Sequence, residues 1–204
     1  MSSREGESRL ARIGRVRYAA AHDEDTSVNP VARPMLPAEA DLIIEYFHNA
    51  TPAFLHGLGV DPMKLPSREI WRAHYDRDFA LPIEQRRSFL MLWTLDAAPI
   101  GFSSADKIVI GEQAFMHLHI FDSGRRQQGY GAALVRQTAL LYFDTLRLKT
   151  LYCEPYALNV APNRTLQKAG FKYVMTHECV PGPLNFHQPV NRWLLSRAQL
   201  HVQV

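Results

Sequence analysis

The 204-residue chain has only two cysteines, Cys153 and Cys179. Two cysteines are too few for a disulfide framework, and Cys153 lies in an apolar strand pattern, so we expect reduced thiols. The sequence also lacks an apolar run of the roughly 18 residues that a transmembrane helix needs. It has no apolar region near its N-terminus, which argues against a signal peptide. These features lead us to expect a cytoplasmic protein with no membrane partner.

The chain also has little excess of positive over negative charge. Its 23 Lys and Arg residues and 20 Asp and Glu residues give a formal net charge of +3. A nucleic-acid-binding protein usually carries a stronger, clustered basic patch, so we expect no nucleic-acid partner. The length fits one domain with a substantial core. Residues 1–30 are polar and mixed in charge, which predicts a tail. We therefore expect the domain to span residues 31–198 and a short second tail to occupy residues 199–204.

Hydrophobic periodicity predicts a mixed α/β chain. The alternating segment 114–121 is typical of a half-buried strand, and residues 132–148 have the apolar spacing of a long helix. A helix is predicted from Pro37, with an inner face formed by Leu42, Ile43, Tyr46 and Phe47. Ser67 is predicted to cap another helix, and a third, containing Pro162 at its start, is predicted to end at Gly170. Further strands are predicted at 31–35, 88–95, 100–110, 151–154, 172–179 and 190–195.

A basic, glycine-containing turn joins strand 114–121 to the long helix. Backbone N–H groups at a helix start, together with the helix dipole, favour an anion, and glycines allow it to approach closely. A dinucleotide fingerprint would need a third glycine after Gly131, and a P-loop would end in Gly-Lys-Ser/Thr. Neither is present, so the pattern predicts a phosphate-binding turn of another type. Its residues are Arg126, Gln127, Gln128, Gly129, Tyr130 and Gly131.

This R-x-x-G-x-G turn resembles the pyrophosphate loop of the GNAT N-acetyltransferase superfamily, whose signature is Q/R-x-x-G-x-G/A. A second motif, residues 159–171, resembles the Asn, short helix and Gly-Phe of the same superfamily, in the same order. The resemblance covers roughly residues 31–198, although upstream of residue 88 it is one of general layout. It implies the GNAT fold: a mixed, mostly antiparallel sheet of six to seven strands, with splayed central strands and flanking helices.

The resemblance also implies a function, namely transfer of an acetyl group from acetyl-CoA to an amine acceptor, without a metal, by a monomer or homodimer. Residues 126–132 would bind the pyrophosphate, Asn159 would support the cofactor between the splayed strands, and Asn163 has no firm counterpart in the family. The residues expected to bind the cofactor are His119, Ile120, Phe121, Arg126, Gln127, Gln128, Gly129, Tyr130, Gly131, Ala132 and Asn159.

An amine acceptor has a pKa near 10 and arrives protonated, so a base must remove a proton. His117 and His119 lie on one face of strand 114–121, and imidazole titrates near neutral pH. Both are candidate bases, with His119 preferred as nearer the pantetheine; the alternative is a pair of structural histidines, and Glu112 is a further candidate. The tyrosine that protonates the CoA thiolate in many relatives corresponds to Leu166. The acid is therefore unassigned, with Tyr156 as one possibility.

Two other functions remain open from the sequence. A degenerate GNAT domain would bind acyl-CoA as a sensor or scaffold without turnover, in keeping with the missing tyrosine. Gly111, followed by five residues and then His117-x-His119, matches part of a cupin metal signature, but the expected Glu is absent and a helix follows. The acceptor is not identified. A small amine, an amino acid and a protein N-terminus all remain open. The rim expected around the acceptor is formed by residues 48–66, the hairpin of strands 88–95 and 100–110, and residues 181–189. It contains aromatics and histidines but little acid, which argues mildly against polycationic acceptors.

Overall fold

The computed structural model describes residues 29–121 and 129–200. Its strands are β1 Pro30–Pro34, β2 Phe89–Leu95, β3 Ala98–Val109, β4 Gln113–Ile120, β5 Thr150–Cys153, β6 Lys172–Cys179 and β7 Gln188–Ser196. They form one sheet in the order β1-β2-β3-β4-β5-β7-β6. Only the β4–β5 pair is parallel among these strands. The predicted mixed, mostly antiparallel sheet is thus confirmed.

The helices are α1 Asp41–His48, α2 Pro52–Gly57, α3 Arg68–Phe79, α4 Tyr130–Thr145, α5 Val160–Ala169 and α6 Arg197–Leu200. Within the described ranges, none of them has the length and hydrophobicity needed to cross a membrane. The Ser67 cap is confirmed, because its Oγ accepts a hydrogen bond from the Ile70 N–H at 3.3 Å. Gly170 ends α5 in a left-handed conformation, with φ at 97°. The predicted domain end at residue 198 falls inside α6.

Two predicted helix starts are wrong in detail. Pro37 begins a separate 3-10 turn, Pro37–Glu39, and α1 starts only at Asp41. Pro162 is the third residue of α5, where a missing N–H costs little because the first turn of a helix lacks intrahelical acceptors. The inner face of α1 also differs from the prediction, since its buried residues are Ile43, Ile44 and Phe47.

Each face of the sheet has its own core. Helices α4 and α5 cover one face, where Trp93, Tyr142 and Leu151 are fully buried. The polar atoms of this core are paired: Trp93 Nε1 donates to Thr138 Oγ1 at 2.7 Å, and Tyr142 Oη donates to the Phe89 carbonyl at 3.2 Å. Burial of each such apolar side chain contributes about 1.5–3 kcal/mol. Helices α1 and α3 cover the other face only in part, which leaves room for the site described next.

Candidate functional site

The sheet opens between β4 and β5 halfway along β4. The parallel β4–β5 register ends at Met116 and Cys153, whereas β4 itself continues to Ile120. Beyond Cys153 the chain stays with β7, because the Ala157 N–H donates to the Pro189 carbonyl at 2.9 Å. The β5 chain therefore turns away from β4 and leaves a gap between them.

Strands β3 and β4 approach each other closely at Gly101, next to the gap. A Cβ at Gly101 would lie 2.3 Å from the His119 carbonyl oxygen, so only glycine fits between the two strands. The Phe121 N–H donates to the Ile100 carbonyl at 2.9 Å, which extends the contact past the end of β4. The two central strands separate because each stays with its outer neighbour.

Asn163 fixes the β5 wall of the gap. Its Nδ2 donates to the carbonyls of Tyr156 at 3.2 Å and Asn159 at 2.8 Å. Its Oδ1 accepts hydrogen bonds from Asn191 Nδ2 at 3.0 Å and from Trp193 Nε1 at 2.8 Å. This side chain thus joins the start of α5 to the end of β5 and to β7, a role that the sequence did not indicate.

A cavity of about 610 Å³ lies on the α1–α3 face of the sheet, over the gap. Leu118 and Cys153, from the two sides of the gap, both line it, so the gap and the cavity are continuous. Four of the catalytic or cofactor-binding candidates from the sequence also line it: His117, His119, Tyr156 and Asn159. Asn159 is the N-cap residue of α5, but its side chain makes no capping hydrogen bond.

His119 sits among aromatic rings. Its imidazole stacks on Phe102 with a centroid separation of 4.8 Å, and Phe47 meets it edge-on at 5.3 Å. Tyr46 Oη lies 3.4 Å from its Nδ1. These neighbours fix the orientation of the ring at the cavity wall.

His117 faces a carboxylate. Its Nε2 lies 3.2 Å from Asp106 Oδ1, and each side chain is 29% exposed. The two atoms are close but outside hydrogen-bond alignment, and neither has another hydrogen-bond partner within the described residues. Burial raises the pKa of Asp106, but the contact with His117 and the charges of His117 and Lys107 outweigh burial, so this pKa lies below its ordinary value.

An ionised Asp106 stabilises positive charge on the imidazole beside it, so this pair is suited to accepting a proton. Asp106 was not among the candidates predicted from the sequence. It pairs with Phe115 across the β3–β4 hairpin, which places it on the same face as His117. The register of that hairpin is the signal that would have revealed it.

No family model matches the chain, and no curated protein is significantly similar to it in sequence. Solved structures do match. The aminoglycoside acetyltransferase AAC(6')-Ib in complex with coenzyme A and kanamycin is 15% identical, with 86% of this chain and 99% of that chain covered and a TM-score of 0.66. The chain has the GNAT fold.

Two other solved structures agree with this fold. The ribosomal-protein α-N-acetyltransferase RimL in complex with coenzyme A is 15% identical, with 82% of this chain and 93% of that chain covered and a TM-score of 0.66. Spermidine N-acetyltransferase from Vibrio cholerae, in complex with coenzyme A and spermine, is 17% identical, with 84% and 98% covered and a TM-score of 0.65. The cupin-like interpretation is wrong, because β4 is followed by the helix α4 and lies in a sheet with helices on both faces.

In the GNAT fold of this chain, α4 is the element that follows β4, and it begins at Tyr130. Arg126, Gln127 and Gln128 lie outside the described residues, so the predicted loop is seen only from Gly129 onward. Gly129 has a φ of 88°, and a Cβ there would meet nothing within 4 Å. Tyr130, Gly131 and Ala132 form the first turn of α4. A Cβ at Gly131 would lie 3.3 Å from Thr165 Cγ2, so α4 and α5 approach each other closely here.

The other acid–base candidates lie in different parts of the fold. Leu166 is fully buried, and its aliphatic side chain has no proton to donate. Tyr156 bridges to Val190 in β7 and lines the cavity on the β5 side. Glu112 is exposed and pairs with Lys149 at 2.6 Å, at the far end of β4 from the gap. Glu112 is therefore outside the cavity lining, and Tyr156 remains in it.

Glu154, His177 and Cys179 offer three possible metal-binding atoms within 4.8 Å of one another. However, Glu154 Oε1 accepts a hydrogen bond from Arg192 Nε at 2.6 Å, and this guanidinium would repel a cation. Burial raises the pKa of the Cys179 thiol, so a metal would also have to displace its proton. We interpret this cluster as a polar network that joins β5, β6 and β7.

Proposed function

We propose that the protein is an acetyl-CoA-dependent N-acetyltransferase that transfers the acetyl group directly to an amine in a ternary complex. The observation that carries this proposal is the gap between β4 and β5, which opens into the cavity beside His117 and Asp106. Backbone groups alternate in direction along a strand, and the Phe121 N–H is directed at β3. Those of Leu118 are therefore directed at the gap, where an extended pantetheine arm can bond as an added strand.

The structural neighbours support the same two substrates. The AAC(6')-Ib structure contains coenzyme A with kanamycin, and the spermidine acetyltransferase structure contains coenzyme A with spermine. Each pairs coenzyme A with an amine. For this chain, the loop 126–132 and the start of α4 are the proposed pyrophosphate site, and the Asn159 side chain is the proposed support beside the gap.

We infer that His117 is the base, rather than the His119 preferred from sequence. His117 removes a proton from the ammonium through Nδ1, the ring nitrogen that does not face Asp106. The freed amine attacks the thioester carbon, the C–S bond breaks, and the nitrogen loses its second proton to solvent. Asp106 stabilises the resulting imidazolium, as an acidic partner does for a catalytic histidine elsewhere. Tyr156 is the proposed donor of a proton to the departing thiolate. His119, stacked on Phe102, forms the wall along which the acceptor lies.

Cofactor binding is tested by titrating acetyl-CoA into the protein in a calorimeter. Gly129→Val should abolish measurable binding, because a branched side chain would stand where the pyrophosphate approaches the start of α4. Gly111→Val is the matched control: Gly111 has a φ of 80°, and a Cβ there also meets nothing within 4 Å. Both variants carry the same backbone strain. Equal acetyl-CoA affinity in the two variants would refute the proposed cofactor site.

Acetyl transfer is tested by following thiol release from acetyl-CoA across a panel of amines. Asp106→Asn should lower kcat by about 10- to 100-fold, since general-base catalysis contributes roughly 100- to 10,000-fold and Asp106 only supports the base. His117→Ala should lower it further, with acetyl-CoA affinity unchanged in both variants. The degenerate alternative predicts acetyl-CoA binding without thiol release for any amine. Full activity of His117→Ala would remove His117 as the base.

A further inference from the structure

Two arginines at the cavity rim have no acidic partner in the described part of the chain. Arg77, at the end of α3, and Arg87, just before β2, are both exposed and both line the cavity. The neighbouring arginines are engaged: Arg68 and Arg72 bind acidic side chains, and Arg86 donates to backbone carbonyls. Among the described arginines at this rim, Arg77 and Arg87 are thus the two whose charge no acidic side chain neutralises.

A buried carboxylate holds these two arginines at the same place. Asp78 is 6% exposed and accepts hydrogen bonds from the Arg87 N–H at 2.7 Å and the Ser88 N–H at 3.1 Å. Ser88 Oγ adds a third hydrogen bond to Asp78 at 2.7 Å. Because Asp78 directly follows Arg77 on α3, it ties the backbone of Arg87 to the helix end that carries Arg77. The position of the cationic rim is thus built into the fold.

The inner part of the cavity has the opposite character. Asp106 Oδ1 and Gln188 Oε1 are buried acceptors without a hydrogen-bond partner in the described ranges, and both residues line the cavity. Such atoms favour a ligand that brings N–H donors or positive charge. The register pairs Phe89 with Ala105, so Arg87 lies about two strands, or roughly 10 Å, from β4. The cavity therefore has a buried acceptor, Asp106 Oδ1, beside His117, and two arginines at its rim.

We propose that the acceptor amine carries an anionic group, a carboxylate or a phosphate, which Arg77 and Arg87 bind. The inference rests on the proposed function, in which the amine is acetylated, and it adds the chemical class of the acceptor. Guanidinium groups bind both anions well through paired N–H donors. A polycation such as the spermine or kanamycin bound in the structural neighbours would instead place positive charge against this rim.

The test uses pairs of amines that differ only in the anion. Alanyl-phenylalanine and 6-aminohexanoic acid are each compared with their neutral amides, phosphoethanolamine is compared with ethanolamine, and spermine represents polycations. Binding to the CoA-saturated protein is measured by calorimetry, in parallel with thiol release from acetyl-CoA. We expect at least one anionic member to bind about tenfold more tightly than its neutral partner, and the pair concerned distinguishes carboxylate from phosphate.

The double variant Arg77→Gln, Arg87→Gln should remove this preference and leave acetyl-CoA affinity unchanged. Arg68→Gln, on the same helix but outside the cavity lining, is the matched control and should retain the preference. The inference is overturned if anionic and neutral partners bind equally, if no panel member binds, if spermine binds best, or if the double variant keeps the preference. Selective binding of anionic amines without thiol release would refute the proposed function and leave the anion site standing.

Discussion

Replacing Gly101 with alanine tests whether the close approach of β3 and β4 sets the width of the gap. The added Cβ would lie 2.3 Å from the His119 carbonyl oxygen and 3.2 Å from Ile120 Cα. An acceptable carbon–oxygen contact is about 3.3 Å, so the strands must separate by about 1 Å. Because β3 is fixed by β2 on its other side, we expect β4 to move into the gap.

The cost follows from that displacement. Overpacking a tight site costs about 1–3 kcal/mol, and each ladder hydrogen bond lengthened by 1 Å forfeits about 1 kcal/mol. We therefore expect Gly101→Ala to lower the free energy of unfolding by about 2–4 kcal/mol, measured by urea denaturation. Acetyl-CoA affinity, measured by calorimetry where the variant is folded, should fall at least about tenfold, since 1.4 kcal/mol is a factor of ten in binding.

Gly57→Ala is the control for this experiment. Gly57 ends α2, and a Cβ there would meet nothing within 4 Å, so alanine should be neutral or stabilise by up to about 1 kcal/mol. Wild-type stability and acetyl-CoA affinity in Gly101→Ala would refute the reasoning. Lost stability with unchanged affinity would mean that β3, rather than β4, moves, and that the gap does not depend on Gly101.

Three further predictions concern single residues. Asn163→Ala should lower the free energy of unfolding by about 2–4 kcal/mol in urea, because it leaves the Trp193 N–H unpaired, whereas Asn159→Ala should cost less than about 0.5 kcal/mol; equal losses would contradict this. Burial raises the pKa of the Cys153 thiol, so at pH 8 Ellman's reagent should react with it far more slowly than with glutathione until guanidinium unfolds the chain. Burial raises the pKa of Tyr75 to about 12, so its neutral phenol contributes stability that is complete below pH 10 and is lost between about pH 10 and 12. Tyr75→Phe should flatten that loss in urea titrations across this pH range, and an unchanged slope would contradict it.

The order of helices and strands was predictable because it depends on local periodicity. The alternating segment 114–121 corresponds to β4 Gln113–Ile120, which begins and ends one residue earlier. The sequence alternates because one face of that strand is buried and the other lines the cavity. Local patterns failed where a longer contact decides the structure. Pro37 begins only a short turn because Glu39 in that turn binds Arg33 of β1 at 2.8 Å, which anchors the turn to the sheet before α1 starts.

The candidate site was predictable only in part. His117 and His119 were found because i, i+2 spacing places both on one strand face. Asp106 was missed because it meets His117 only through the register of the β3–β4 hairpin, eleven residues earlier in the chain (117 minus 106). Asn163 was missed because its partners lie in β7, which no local pattern links to α5. The positions of Arg77 and Arg87 at the cavity rim likewise depend on the contact between the end of α3 and the segment before β2. No local sequence pattern predicts that contact.

One strand serves both proposed substrates, and this constrains how the protein can vary. Even-numbered residues of β4 place their side chains in the α4–α5 core, where Ala114 and Met116 are fully buried, and their backbone groups face β5 and the gap. The odd-numbered side chains, His117 and His119, face the cavity beneath α1 and α3.

The donor side is therefore fixed by core packing and strand pairing, so most substitutions there also cost stability. The acceptor rim depends on exposed side chains of α3 and the segment before β2, where surface substitutions usually change stability by less than about 0.5 kcal/mol. Acceptor specificity can thus change through residues such as Arg77 while the donor site is preserved.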